Sequence, residues 1–123
     1  MSNLPRTSRP WRCIAALLGL SAVALAAVAA HAIADPKAAQ AVERAALMQL
    51  VHAVLLLYAA TLSGVFLSLA RWFTLAGVTL FCGAIYAKYL LGIPAGGTVA
   101  PAGGIALMLG WLMLGLSSLT KDN

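Results

Sequence analysis

Carboxylates are nearly missing from this sequence. Asp35, Glu43 and Asp122 carry the only three, and none lies inside a long apolar run. Proton-coupled export by small four-helix drug exporters relies on a carboxylate within the membrane, so that class is excluded. Charge of either sign is scarce: charged residues make up 9% of the chain, against roughly 25% in soluble globular proteins. The two cysteines, Cys13 and Cys82, are far apart and belong to no CxxC or Cys/His spacing. Neither a zinc site nor a disulfide framework is implied. The apolar runs also lack a glycine-rich phosphate loop and any Ser, His and acid constellation suited to nucleophilic hydrolysis.

Hydrophobic length fills the space that charge leaves. Apolar residues are 63% of the 123 residues, and they gather into four runs, Cys13–Ala34, Ala46–Leu69, Trp72–Ile93 and Thr98–Leu119. Each is about the 20 residues that a helix needs to cross a hydrocarbon core of roughly 30 Å. The expected fold is all-α, an integral membrane bundle of four transmembrane helices. Residues 1–12 form a basic leader, residues 13–119 a single transmembrane domain and residues 120–123 a tail. A basic leader, an apolar stretch and Ala32-Ile33-Ala34 together resemble a cleavable signal. The stretch from Cys13 to Ala30 is longer than the roughly 7–15 residues of such a segment, so a retained first helix is expected.

Orientation follows from lysine and arginine, which stay in the cytoplasm during insertion. Arg6, Arg9, Arg12, Arg71 and Lys121 fall on one side of a four-span chain, and Lys37 and Arg44 in the first connection on the other. That asymmetry predicts a multi-pass protein of the cell inner (plasma) membrane with both termini cytoplasmic. Basic residues at segment ends point to the lipid bilayer as the partner of the +5 net charge, and not to nucleic acid. The first connection opens with Asp35-Pro36, an N-cap followed by proline at the first helical position. A short helix is expected there, running into the second span. Arg71 beside Trp72 suits a headgroup-level turn as the second connection, and Pro94-Ala95-Gly96-Gly97-Thr98 reads as the third.

Helices associate in lipid through close packing, so small residues mark contacts. Ala102, Ala106 and Gly110 recur at four-residue spacing in the fourth run, and Thr79, Gly83 and Ala87 in the third. Gly19, Ala22, Ala26 and Ala30 place small residues on one face of the first. These stripes are expected to face one another in a compact, left-handed bundle.

Polar groups inside a bilayer are costly and tend to face the bundle interior. His31, Gln49, His52, Tyr86 and Lys88 come from three different runs at similar depths, giving a candidate polar pocket at the outer side. Two histidines on antiparallel helices would permit a bis-histidine haem. Against this stand a lysine that snorkels to the headgroups and histidines that serve as hydrogen-bonded structural groups.

Four stretches carry a family likeness: Ala29-Ala30-His31-Ala32, Gln49-Leu50-Val51-His52-Ala53, Phe81-Cys82-Gly83-Ala84-Ile85-Tyr86, and Ala100-Pro101-Ala102-Gly103-Gly104 leading to Gly110-Trp111. In order and over nearly the whole chain, they resemble the YgdD-like family of small four-helix membrane proteins, the domain-of-unknown-function 423 family. Its eukaryotic relatives include transmembrane protein 256. The resemblance implies a multi-pass membrane protein of unassigned role and supplies no catalytic residues; Lys88 lies outside its pattern. The expected function is that of a non-enzymatic accessory or scaffold protein without a cofactor, partnered by another membrane protein or a second copy. The alternative is a bundle that binds a small molecule or a haem-like cofactor at the His/Lys pocket.

Overall fold

The computed structural model describes residues 8–94 and 99–120. Four helices account for nearly all of them: α1 (Ser8–His31), α2 (Pro36–Ala59), α3 (Val65–Leu90) and α4 (Val99–Ser117). Each is long and apolar enough to cross a membrane. Arg6, the Ala95-Gly96-Gly97-Thr98 part of the third connection, and Lys121 lie outside the described residues.

The helix boundaries follow local chemistry. Asp35 caps α2, its carboxylate accepting from the Ala38 amide at 3.0 Å, and Pro36 opens the helix where a missing N–H is harmless. The helix expected in the first connection therefore exists as the opening turns of α2. The second connection differs from expectation. The chain breaks after Ala59, and α3 has already begun at Val65, so Arg71 and Trp72 lie inside a helix and not in a turn. Gly64 makes the break: its φ of 131° is a conformation that essentially only glycine adopts. Thr61 and Ser63-Gly64 do mark the break in the sequence, but the flanking Leu62, Val65 and Phe66 let the run read as one membrane segment.

Arg71 binds the ends of the α2–α3 hairpin together. One guanidinium nitrogen donates to the carbonyl oxygens of Ala59 at 3.0 Å and Leu62 at 3.2 Å. It thereby adds a second donor to the Ala59 carbonyl, which also accepts from the Leu62 amide at 3.3 Å, and puts positive charge at the negative end of a helix dipole. The same guanidinium lies 5.7 Å from the Trp11 ring, and Trp11 meets Trp72 edge-on at 4.9 Å. This aromatic and basic cluster ties the start of α1 to α3 at one membrane boundary.

Packing runs in chain order, most extensively between α3 and α4, then α1 and α2, then α2 and α3. At the α3–α4 contact the helices are antiparallel: Gly103 abuts Phe81, Leu107 fills the notch at Gly77, and Gly110 abuts Thr74. Gly103, Leu107 and Gly110 are the buried positions here, whereas Ala102 is exposed and Ala106 half-buried. On α3, Ala70, Thr74 and Gly77 are buried. Thr79 is exposed and bonded back to the Leu75 carbonyl of its own helix at 2.8 Å. Gly83 has open space where a Cβ would be, and Ala87 is half-buried. Of the stripes expected on α3 and α4, Gly110 alone sits at the close approach.

The reason is angular. Steps of four residues rotate a stripe by about 40° each time round a helix with 3.6 residues per turn, so such a stripe drifts off the contact. Alternating steps of four and three, as in Gly103–Leu107–Gly110, stay on it. The same holds in α1, where the buried alanines are Ala15, Ala22 and Ala29. Of the expected face, Ala22 is among the buried ones, whereas Ala26 is half-buried, Ala30 is exposed, and Gly19 makes only ordinary contact with Ala53.

Candidate functional site

The two largest polar side chains buried in α2, Gln49 and His52, organise the interior. Gln49 uses its whole amide. Its nitrogen donates to the Leu18 carbonyl at 2.8 Å and to Ser21 Oγ at 2.7 Å, and its oxygen accepts from the Tyr86 hydroxyl at 2.8 Å. Ser21 Oγ in turn donates to the Leu18 carbonyl at 3.2 Å. One side chain thus joins α1, α2 and α3. Beside it, the Cys82 thiol approaches the Ala45 carbonyl at 3.3 Å, within the apolar cluster of Ala45, Val78, Cys82 and Leu107.

His52 turns toward α4. Its Nε2 lies 3.1 Å from Trp111 Nε1, and its Nδ1 lies 2.7 Å from the Met48 carbonyl oxygen. An indole nitrogen can only donate and a carbonyl can only accept. His52 is therefore neutral in this arrangement, with its proton on Nδ1, and both ring nitrogens are occupied. The two rings stand nearly perpendicular, at 75° with centroids 6.0 Å apart. Trp111 is otherwise about half exposed, an amphipathic ring with its one polar atom turned inward. Nitrogen-15 NMR of ring-labelled protein in detergent is expected to show His52 as the Nδ1–H tautomer. Trp111→Phe should move the Nε2 resonance and leave Nδ1 nearly unchanged; an Nε2–H tautomer in the parent would contradict the Trp111 bond.

The remaining candidates lie apart from these two nodes. His31 is the exposed last residue of α1, and Lys88 is exposed near the end of α3 with its ammonium 5.2 Å from the Tyr89 ring centroid. The single pocket expected from sequence thus becomes an internal node of Gln49 and Tyr86, a second of His52, and two surface residues. Helix geometry explains the separation. Tyr86 and Lys88, two residues apart, point about 200° apart around α3, and Gln49 and His52 diverge by about 60° around α2. Among the described residues, no three His, Cys, Asp or Glu side chains gather as metal ligands would.

Ser21 and the Leu18 carbonyl could not be found as partners from sequence, since a lone serine in an alanine-rich helix carries no spacing signal. Trp111 belonged to the family-like stretch, but nothing in sequence paired it with His52.

The protein-family comparison matches residues 25–104 to the protein family of unknown function DUF423. That range includes Gln49, His52 and Tyr86. Three similar proteins are UPF0382 membrane proteins of staphylococci. The one from Staphylococcus aureus is 35% identical over 58% of this chain and 62% of its own length. The one from Staphylococcus epidermidis is 30% identical over 86% of this chain and 92% of its own. The one from Staphylococcus saprophyticus is 30% identical over 82% and 89%. No solved structure matches the chain. With four membrane-length helices and a family model covering most of its spans, this chain is a multi-pass membrane protein that belongs to the DUF423 family.

Proposed function

We propose that this protein is a non-enzymatic accessory or scaffold component of the cell inner (plasma) membrane, with both termini in the cytoplasm. The observation that carries this reading is the commitment of Gln49 and His52. Each has its hydrogen-bonding groups engaged by other parts of the fold. Polar groups spent on closing helix contacts favour a structural role over one in chemistry. Gly83 and Gly115 meet open space where a Cβ would be, leaving backbone accessible to a partner helix. A haem held by His31 and His52 would require His52 to give up Trp111 and α1 to turn its exposed last residue inward.

Purification from native membranes in mild detergent tests the role. A colourless, metal-free protein migrating in an assembly larger than itself is the expected result. A Soret absorbance or stoichiometric metal would replace the scaffold reading with the cofactor reading. For the topology, reporters fused after residue 123 should report a cytoplasmic location, and reporters within residues 32–35 an external one. Periplasmic activity from the C-terminal fusion would invert the arrangement.

A further inference from the structure

A groove of about 640 Å³ runs between α2 and α3 on the lipid-facing surface. Ala41 and Ala45 give α2 a low profile there, and Met48, Val51, Phe81 and Ile85 make the rest of the wall apolar. Its polarity is confined to one end, where Arg44 and Tyr89 line it. Lys88 holds its ammonium over that same Tyr89 ring, 5.2 Å from the centroid. Lys37 lies two turns from Arg44 on the same face of α2, and both are exposed. Arg44 therefore lines one mouth of an otherwise apolar trough, with Lys37 on its face of α2 and Lys88 held against the Tyr89 ring that lines the same end. The acid Glu43, one turn before the lining residue Leu47 and about 40° from it around α2, is exposed near the same end but, like Lys37 and Lys88, is not itself part of the lining.

Depth fits a headgroup. At 1.5 Å rise per residue, Lys88 lies about 26 Å along α3 from Arg71, close to the roughly 30 Å of a hydrocarbon core. The Arg71, Trp11 and Trp72 cluster marks one boundary; Lys88 and Arg44 then mark the other. From Arg44 the apolar groove extends about 10 Å along α2 to Val51, into the membrane.

We propose that this groove is a binding site for an anionic glycerophospholipid. An acyl chain lies along Ala41, Ala45 and Met48, and the phosphate is held at the mouth by Arg44 and Lys88. The occupant belongs to the leaflet opposite the tryptophan cluster. Charge complementarity selects it: a zwitterionic lipid would bring its own ammonium toward Lys37, Arg44 and Lys88, whereas an anionic headgroup such as glycerol phosphate brings only hydroxyls.

Native mass spectrometry of the full chain in detergent tests the assignment, titrating phosphatidylglycerol and phosphatidylcholine of matched chains. Wild type should retain phosphatidylglycerol preferentially. Arg44→Gln and Lys88→Met should each weaken its retention about fivefold and leave phosphatidylcholine unchanged. Arg44→Lys should keep the preference, and Ala41→Phe, which fills the floor, should lower retention of both lipids. Lipid-free helicity and thermal midpoint identify variants that fold as wild type. Equal retention of the two lipids by wild type, or an unchanged preference in the Arg44→Gln/Lys88→Met double variant, overturns the proposal. So does a lipid-free dimer that Ala41→Phe dissociates, which would give the groove to a second copy.

Discussion

Gly103→Leu is expected to be the most destabilising single change in the bundle, because its new side chain has nowhere to go. Even a Cβ at this position would run into the backbone nitrogen of Phe81, with the Phe81 Cα at 2.8 Å. Backbone cannot rotate aside as a side chain can, so α3 and α4 would have to separate. Gly110 meets a softer obstacle, the Thr74 hydroxyl oxygen at 2.6 Å, with backbone only at 3.4 Å and beyond. Overpacking typically costs about 1–3 kcal/mol. Gly103→Leu should reach or exceed the upper end and Gly110→Leu should fall within the range. Leu114→Ala, at a half-buried position, should cost less than Gly110→Leu.

Gly83→Ala supplies the contrast. With open space around the new methyl, it should be neutral or stabilising by up to about 1 kcal/mol through helix propensity. Thermal unfolding in detergent would rank the four variants. A Gly103→Leu protein as stable as Gly83→Ala would show that α3 and α4 do not approach at this point.

Gln49→Leu should produce the next largest loss, and one that spreads over three helices. It removes the bonds to Leu18, Ser21 and Tyr86 together. Interhelical polar contacts in membranes average about 0.6 kcal/mol each, so the change should cost about 2 kcal/mol. Tyr86→Phe removes one of the three and should cost about a third as much. In the double variant the two losses should not add. Once Gln49 is gone, Tyr86→Phe removes a hydroxyl that has already lost its partner, leaving a coupling of about 0.6 kcal/mol. Measured additivity of the two substitutions would mean that Tyr86 and Gln49 do not bond in the folded protein.

These two predictions rest on different kinds of information. That Gly110 and Gln49 matter could be read from the chain, one as a small residue and one as an amide in an apolar run. That Gly103 matters more than Ala102 could not. Both are small neighbours on the same helix, and only the phase of α4 against α3 distinguishes the buried one from the exposed one. The polar layer shows the same division. His31, Gln49, His52, Tyr86 and Lys88 were all identifiable as unusual in a hydrophobic run, and a shared depth followed from helical rise. Depth is a coordinate along the axis, however, and partnership also depends on the angle around it.

The sequence by itself determined the all-helical, four-span architecture, the Asp35-Pro36 start of α2 and membership of the family. Each depends on run length, local capping chemistry or residue order, and none requires knowing which helix touches which. Tertiary structure decided where α2 ends, because isolated small polar residues such as Thr61 and Ser63 are also tolerated within a span, and the positive φ of Gly64 is what shows the break. It also decided that Arg71 closes the hairpin, that Gln49 faces α1 and α3, and that His52 faces Trp111. In a chain so uniformly apolar, hydrophobicity cannot choose a helix's inward face, since lipid and protein interior are alike to it. Close backbone approach and hydrogen bonds make that choice, and both depend on the neighbouring helix.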